Sequence, residues 1–160
     1  MNMSTSKFNS MKIAIEQLEL KELQAFLREQ ADDAFPDLMD EKRLAMLSQK
    51  WCSYAKFCTC RDNNEGRLVG MIAFYANQPD VGIAYIPHVY ICRKLRGKGL
   101  FAEMMSKVKT YLYEIKYNEV MLEVKTNNLI AQRAYSKEGF RPVPDNLGGA
   151  ESIHMSLRIS

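Results

Sequence analysis

The sequence predicts a mixed α+β domain, and three observations carry that prediction. The chain has 160 residues, the size of one domain and enough to bury about 70% of the unfolded chain's surface without disulfides or metal. Hydrophobic residues are 47% and charged residues 26%, globular values that exclude a disordered or fibrous chain. The apolar period switches repeatedly between two and about 3.6. The order it gives is strand, helix, helix, three strands, helix, strand, helix, two strands. A strand-helix-strand passage usually returns parallel, so the sheet is mixed.

Residues 1–10 are polar and read as a loose tail, leaving 11–160 as a single domain. Lys12 to Ile15 starts a strand. Leu20, Leu23, Phe26, Leu27 and Ala31 recur at helical spacing, predicting a helix over 20–34. Phe35-Pro36 ends it, because a residue before proline avoids helical angles. Asp40 is placed to cap a second helix that aligns Leu44, Leu47 and Trp51.

Lys56 to Cys60 reads as a strand, and Asp62 to Gly66 as a turn in which Gly66 supplies φ > 0. Leu68 to Tyr75 is almost continuously apolar, as in a strand buried on both faces. After a turn over 77–80, Val81 to Cys92 is a long strand interrupted by Pro87. Proline removes a ladder donor and marks an edge or a bulge.

Leu100, Met104, Val108, Leu112 and Ile115 then make a helix of about four turns. Val120, Leu122 and Val124 alternate as a strand. Asn128 to Lys137 is a short helix, with Gly139 placed just past its end. Phe140 to Val143 and Ser152 to Ile159 are the last strands. The loop between them holds Pro144, Gly148 and Gly149.

Several functions are excluded early. No run of about 18 apolar residues exists, which argues against a membrane span. The N-terminus lacks the apolar stretch of a signal peptide, so the expected location is the cytoplasm. The net charge is +3, without the concentrated basic stripe of a nucleic-acid binder, so no nucleic-acid partner is expected. Cys58 and Cys60 lie two apart on one strand, about 6.6–6.8 Å between Cα atoms. That is the outer edge of what a disulfide spans. With Cys52 and Cys92 they read as reduced thiols. His88 and His154 show no ligand spacing, and no metal site is expected.

Chemistry concentrates in Lys94-Leu95-Arg96-Gly97-Lys98-Gly99-Leu100, where a strand feeds a helix. Two glycines let the backbone turn sharply. A helix N-terminus offers unpaired N–H groups and a positive dipole end to an anion. Arg93, Lys94, Arg96 and Lys98 put four positive charges within six residues. A diphosphate matches such a concentration of donors. A P-loop is excluded, because Gly99 is followed by Leu100 and Phe101 rather than Lys-Ser/Thr. A dinucleotide fingerprint is nearly met, with Ala102 as third member and Glu119 as the distant acid. That motif follows the first strand of its fold, however, and here about three strands come first.

Downstream, Asn128, Ala131 and Tyr135 are spaced i, i+3, i+7 and share one helix face, followed by Gly139-Phe140. Alone, this is also what a capped helix with a core tyrosine looks like. Together the two motifs, R-G-x-G and N-x-x-A-x-x-x-Y-x-x-x-G-F, resemble the GNAT acyltransferase superfamily over about residues 68–140. Lys94 stands where that family commonly has Gln or Arg, and a frequent third glycine is absent.

The resemblance implies a mostly antiparallel, twisted sheet of six or seven strands with about four helices, and acetyl-CoA as acyl donor. It implies a pyrophosphate on the N–H groups of Arg96, Gly97, Lys98, Gly99 and Leu100. Asn128, Ala131 and Tyr135 would lie beside the cofactor arm, which would run along Val89-Tyr90-Ile91 where two strands splay. Tyr135 would act as general acid toward the leaving thiolate. An attacking amine near pKa 10 must lose a proton, for which His88 is the first candidate base and Glu123 the second. Tyr85 and Tyr90 are candidates for an acceptor pocket, closed by the helices between Leu20 and Trp51.

The expected reaction is N-acetylation of a primary amine of a small molecule. Met71 to Asn77 and Ala84 to Ile86 faintly resemble members that act on amino sugars. A protein or peptide N-terminus, or a regulatory module that binds acyl-CoA without turnover, are the alternatives. A monomer or homodimer is expected.

Overall fold

The computed structural model describes residues 8, 10–144 and 151–159. Its strands are β1 (Met11–Glu16), β2 (Ala55–Asp62), β3 (Leu68–Tyr75), β4 (Ile83–Ile91), β5 (Glu119–Lys125), β6 (Arg141–Pro142) and β7 (Ser152–Arg158). Its helices are α1 (Leu20–Asp33), α2 (Glu41–Tyr54), α3 (Leu100–Glu114) and α4 (Leu129–Lys137). The strands form one seven-stranded sheet in the order β1-β2-β3-β4-β5-β7-β6. Every neighbouring pair is antiparallel except β4 and β5. That parallel pair follows from α3, which carries the chain from the end of one strand back to the start of the next.

Alternation along the strands builds two cores. Phe57, Met71, Ala73 and Tyr90 face α1 and α2 with Leu23, Phe26, Leu27, Leu44 and Trp51. Cys58, Cys60, Ile72, Phe74, Val120, Leu122 and Val124 face α3, which buries Leu100, Met104, Met105, Val108 and Leu112 against them. Full burial of such a side chain contributes roughly 1.5–3 kcal/mol, so the α3 stripe anchors the helix whose first turn belongs to the site. Helix α4 joins the same core through Ala131 and Tyr135.

Local signals act where expected. Asp40 Oδ1 accepts the Lys42 N–H at 3.0 Å and caps α2. Gly66 has φ 67° and Gly139 φ 102°. Past α4, the Gly139 N–H reaches Ser136 O and the Phe140 N–H reaches Tyr135 O. That double closure is a Schellman motif, and it drops Phe140 into the core at 2% exposure.

The structure departs from the sequence reading at several edges. Strand β4 starts at Ile83, because Gly82 takes φ 72° and donates to Gln78 O in the preceding turn. Strand β6 has two residues rather than four. Short 3-10 turns at Pro36–Met39 and Arg93–Leu95 have no periodicity to announce them. Phe8 lies inside the segment read as a tail, yet it is 6% exposed and packs in the α3 core. The packed chain therefore begins before residue 11. Pro144 is described as unpaired backbone after β6, while Gly148 and Gly149 lie outside the described residues. The four cysteines are free thiols, and burial raises Cys58 to about 12.

Candidate active site

The site begins with a parting of strands. The β4–β5 pairing runs from Ile83↔Glu119 to Ile86↔Leu122 and ends there. Beyond it β5 stays paired with β7 through Lys125, while β4 stays paired with β3 through Ile91. Between Ala73 and Tyr75 the β3–β4 register shifts, so Ile86 and Pro87 together oppose Phe74. This is a β-bulge, placed where proline has no N–H to give to a ladder. The bulge changes the parity of β4. Before it, Ala84 and Ile86 face the α3 core; after it, Val89 and Ile91 do.

The same register decides which backbone groups are open. The Cys92 N–H donates to Val69 O at 2.9 Å, so Cys92, Tyr90 and His88 are the residues that bond to β3. Val89 and Ile91 alternate with them and turn their N–H and C=O groups away from β3, into the gap toward β5. Of the Val89-Tyr90-Ile91 run, Tyr90 thus has its backbone committed elsewhere.

At the end of this gap stands the glycine turn. Gly97 has φ 72° and Gly99 φ 91°, a region that only glycine enters without strain. A Cβ at either position would meet no atom within 4 Å, so conformation and open approach, not crowding, explain the glycines. Leu100, Phe101 and Ala102 open α3, where N–H groups have no partner within the helix. The Arg96 N–H donates to Arg93 O at 3.2 Å instead, so the open donors run from Gly97 onward. Open amides, a helix N-terminus and Lys94 and Lys98 alongside make a site that fits a diphosphate.

The arginines of this turn are held from across the sheet. Asp33, in the last turn of α1, accepts hydrogen bonds of 2.6 Å from Arg93 Nη2, Arg96 Nη2 and the Tyr90 O–H. The bond from Tyr90 is the leading cause that lowers the Asp33 carboxyl from its ordinary value. Arg96 Nε also donates to Ile91 O at 2.7 Å, and its guanidinium lies 5.4 Å over the Tyr90 ring. Sequence reading missed Asp33, because a lone acid at a helix end carries no motif.

On α4, Asn128 Oδ1 accepts the Ala131 N–H at 3.1 Å and caps the helix. Ala131 and Tyr135 share its half-buried face. The Tyr135 ring packs between Phe101, at 5.5 Å, and Phe140, at 5.8 Å. Burial pushes its phenol up to about 12, so the O–H keeps its proton throughout the neutral range.

The two candidate bases lie in different surroundings. His88 is on the α1–α2 side of β4, stacked on Trp51 at 5.0 Å and tilted against Phe35 at 4.9 Å. Its Nε2 is hydrogen-bonded to Gln30 Oε1, and burial lowers it to about 4. Glu123 is exposed and accepts from the Ser152 hydroxyl. It is the first β5 residue past Leu122, the last paired with β4. It therefore stands at the apex of the gap, on the sheet face opposite Leu122 and the α3 core. Tyr85, on β4 beside it, lines a pocket of about 350 Å³. Tyr90 does not line it.

The model of the acetyltransferase (GNAT) family matches residues 20–140. The chain belongs to this family. GNAT acetyltransferases use acetyl-CoA as acyl donor. An uncharacterized N-acetyltransferase of Methanocaldococcus jannaschii is 30% identical over 78 residues, 48% of this chain and 48% of the relative. The match thus spans about half the length of that relative. Among solved structures, a GNAT acetyltransferase from Staphylococcus aureus superposes with a TM-score of 0.69 at 18% identity, covering 93% of this chain and 100% of that one. PaiA N-acetyltransferase from Thermoplasma acidophilum, solved with coenzyme A, gives 0.69 at 14% identity over 92% and 99%. An acetyltransferase from Streptococcus agalactiae gives 0.72 at 14% over 94% and 99%. At these identities the likeness is one of fold.

In this GNAT chain the described residues contain no cluster of His, Cys, Asp or Glu fit to hold a metal. No described helix is long and apolar enough to cross a membrane.

Proposed function

We propose that this chain moves an acetyl group from acetyl-CoA to a primary amine by direct attack on the thioester. The observation that carries the reading is the parting of β4 from β5 at Ile86/Leu122, which turns Val89 and the Ile91 N–H into the gap beside the glycine turn, the Ile91 carbonyl being taken by Arg96 Nε. When bound, acetyl-CoA supplies an acetyl group activated as a thioester. Gly97, Lys98, Gly99 and Leu100 hold its pyrophosphate with N–H groups, Lys94 and Lys98 add charge, and the outward Val89 C=O and Ile91 N–H align its arm. Asn128 fixes the start of α4, and Ala131 leaves room on the face that carries Tyr135.

The Val89 N–H is the donor placed to stabilise the oxyanion that develops at the carbonyl. Glu123 draws the acceptor's ammonium to the apex of the gap and passes one of its protons to solvent, which frees the lone pair that forms the N–C bond; the second N–H proton leaves as the tetrahedral species collapses and replaces the one that Tyr135 gives up. His88 remains the second candidate for that step. Its depressed basicity and its bond to Gln30 favour a role as a neutral wall of the acceptor side. Tyr135 donates its O–H to the sulfur as the C–S bond breaks. A small-molecule amine is the acceptor class we favour, an amino sugar being one example, because the pocket beside Tyr85 is small.

The reading is tested by thiol release from acetyl-CoA over a panel of amines, with Tyr135→Phe alongside. Amine-dependent release by the native chain, lost in the variant while acetyl-CoA binding persists, is expected. Binding of acetyl-CoA with no amine-dependent release, for any amine or amino-terminal peptide, would leave a regulatory binding module.

A further inference from the structure

The pocket on the α2 side of β4 has a chemistry that the reading above does not use. It is bounded by Lys50 and Tyr54 from the end of α2, Tyr75 from β3, and Tyr85 from β4. Asn77 closes one side, its Nδ2 donating to Tyr54 O at 2.8 Å. Trp51 belongs to the core that Tyr75 packs against and stacks on His88, so the aromatic wall continues from the pocket toward the middle of β4. Tyr85 precedes Pro87 by two residues, about 6–7 Å along the strand. The pocket therefore opens beside the place where β4 leaves β5.

Its charges are ordered. Among the described residues Lys50 is the one charged lining residue, and its Nζ lies 5.8 Å over the Tyr75 ring. The negative charge is at the other end: Tyr85 pairs with Met121, and Glu123 stands two residues further along β5 on the same face of the sheet. A molecule spanning the two ends meets a cation at the pocket and a carboxylate at the apex. Aromatic faces between them favour an apolar or ring-shaped body. A polyamine would put its second positive charge against Lys50.

We infer that this pocket is the acceptor subsite and that it takes amines carrying an anionic group, such as a carboxylate, across a short apolar or ring body. Lys50 is the specificity-determining residue. The inference rests on the acetyltransferase reading for the identity of the site, but its test does not depend on turnover.

The probes are 4-(aminomethyl)benzoate and benzylamine, which share one body and differ by the carboxylate. Spermidine serves as the polycation. Each is titrated calorimetrically into protein loaded with coenzyme A. The carboxylate probe is expected to bind about fivefold tighter than benzylamine, the size of an exposed ion pair. Lys50→Met, a change at an exposed position, should bring the two within about twofold and leave coenzyme A affinity unchanged. Equal or tighter binding of benzylamine or spermidine, a preference that survives Lys50→Met, or no binding of any probe overturns the inference. Preferential binding without thiol release from acetyl-CoA would leave the subsite standing and reject the transferase reading instead.

Discussion

The two sides of the β4–β5 gap are built from different materials. The side we propose for the donor is backbone: open N–H groups at Gly97–Ala102, the outward edges of Val89 and Ile91, and a helix start. The side we propose for the acceptor is side chains from distant segments: Trp51 on His88, Phe35 against His88, and Tyr54, Tyr75 and Tyr85 around a pocket. Backbone recognition demands particular φ angles and particular spacings, and these constrain residue type. A pocket wall demands only shape and polarity, which many residues meet. The donor side can therefore be common to a family while the acceptor side sets what each member acts on. Asp33 joins the two, since it sits at the end of α1 on the acceptor side and grips both arginines of the donor turn.

The largest expected effect is at Tyr135, whose hydroxyl we propose serves chemistry rather than binding. Tyr135→Phe keeps the ring between Phe101 and Phe140, so the unfolding midpoint should hardly move. We predict a fall in kcat of roughly 10²–10⁴-fold, the usual worth of a positioned acid, with acetyl-CoA affinity within about twofold. A variant of unchanged kcat would make Tyr135 a packing residue only.

Next come the glycines. Gly99→Ala and Gly66→Ala both force an L-residue to positive φ, at 91° and 67°. Each should lower stability by roughly 1–2 kcal/mol in chemical denaturation. Only Gly99→Ala should also weaken acetyl-CoA binding. Equal binding by both variants would remove the turn from the donor site.

Asp33→Ala should divide its effect unevenly. Freed of its carboxylate, the end of α1 loses its hold on Tyr90, Arg93 and Arg96. We predict a rise of about fivefold in the KM of the acceptor and a change below threefold in acetyl-CoA affinity, by the size of charge-assisted bonds at a partly open site. The reverse split would make Asp33 part of the donor site.

The smallest effect on acetyl-CoA binding is expected at His88, whose signature is one of pH. His88 holds about 4 in the folded protein against 6.5 in the unfolded chain. Between those values the unfolded chain binds a proton that the folded chain refuses, so stability falls as pH drops from 6.5 toward 4. In His88→Phe that acid-sensitive part should vanish, as melting curves across the window would show. The variant should also lose about 1–3 kcal/mol at neutral pH, because Gln30 Oε1 is left buried without its partner. A melting profile of unchanged slope would mean that His88 is open enough to ionise.

What could be read from the sequence follows the same division. Strong periodicity placed α1 and α3, a continuous apolar run placed β3, and Pro87 marked the bulge at which β4 leaves β5. Gly97, Gly99 and the Asn128 cap could be read because backbone geometry constrains them, whereas Tyr135 was singled out only by the resemblance to the family. Asp33 and Lys50 were not. Asp33 meets Arg96 from 63 positions away, and Lys50 meets Tyr75 across two elements; neither pairing leaves a local pattern. Phe8 was hidden by its polar neighbours. The 3-10 turn at Arg93–Leu95 is too short for periodicity, and it is what redirects the Arg96 N–H to Arg93 O.

The central claim is that β4 offers Val89 and Ile91 to the donor arm. Amide hydrogen exchange resolved at those two residues, with and without acetyl-CoA, tests it most directly. Protection of Val89 or Ile91 by acetyl-CoA, absent with NAD or ATP, is the predicted result, with His88 and Tyr90, already bonded to β3, little changed. Saturating acetyl-CoA that leaves both Val89 and Ile91 exchanging as before would contradict it.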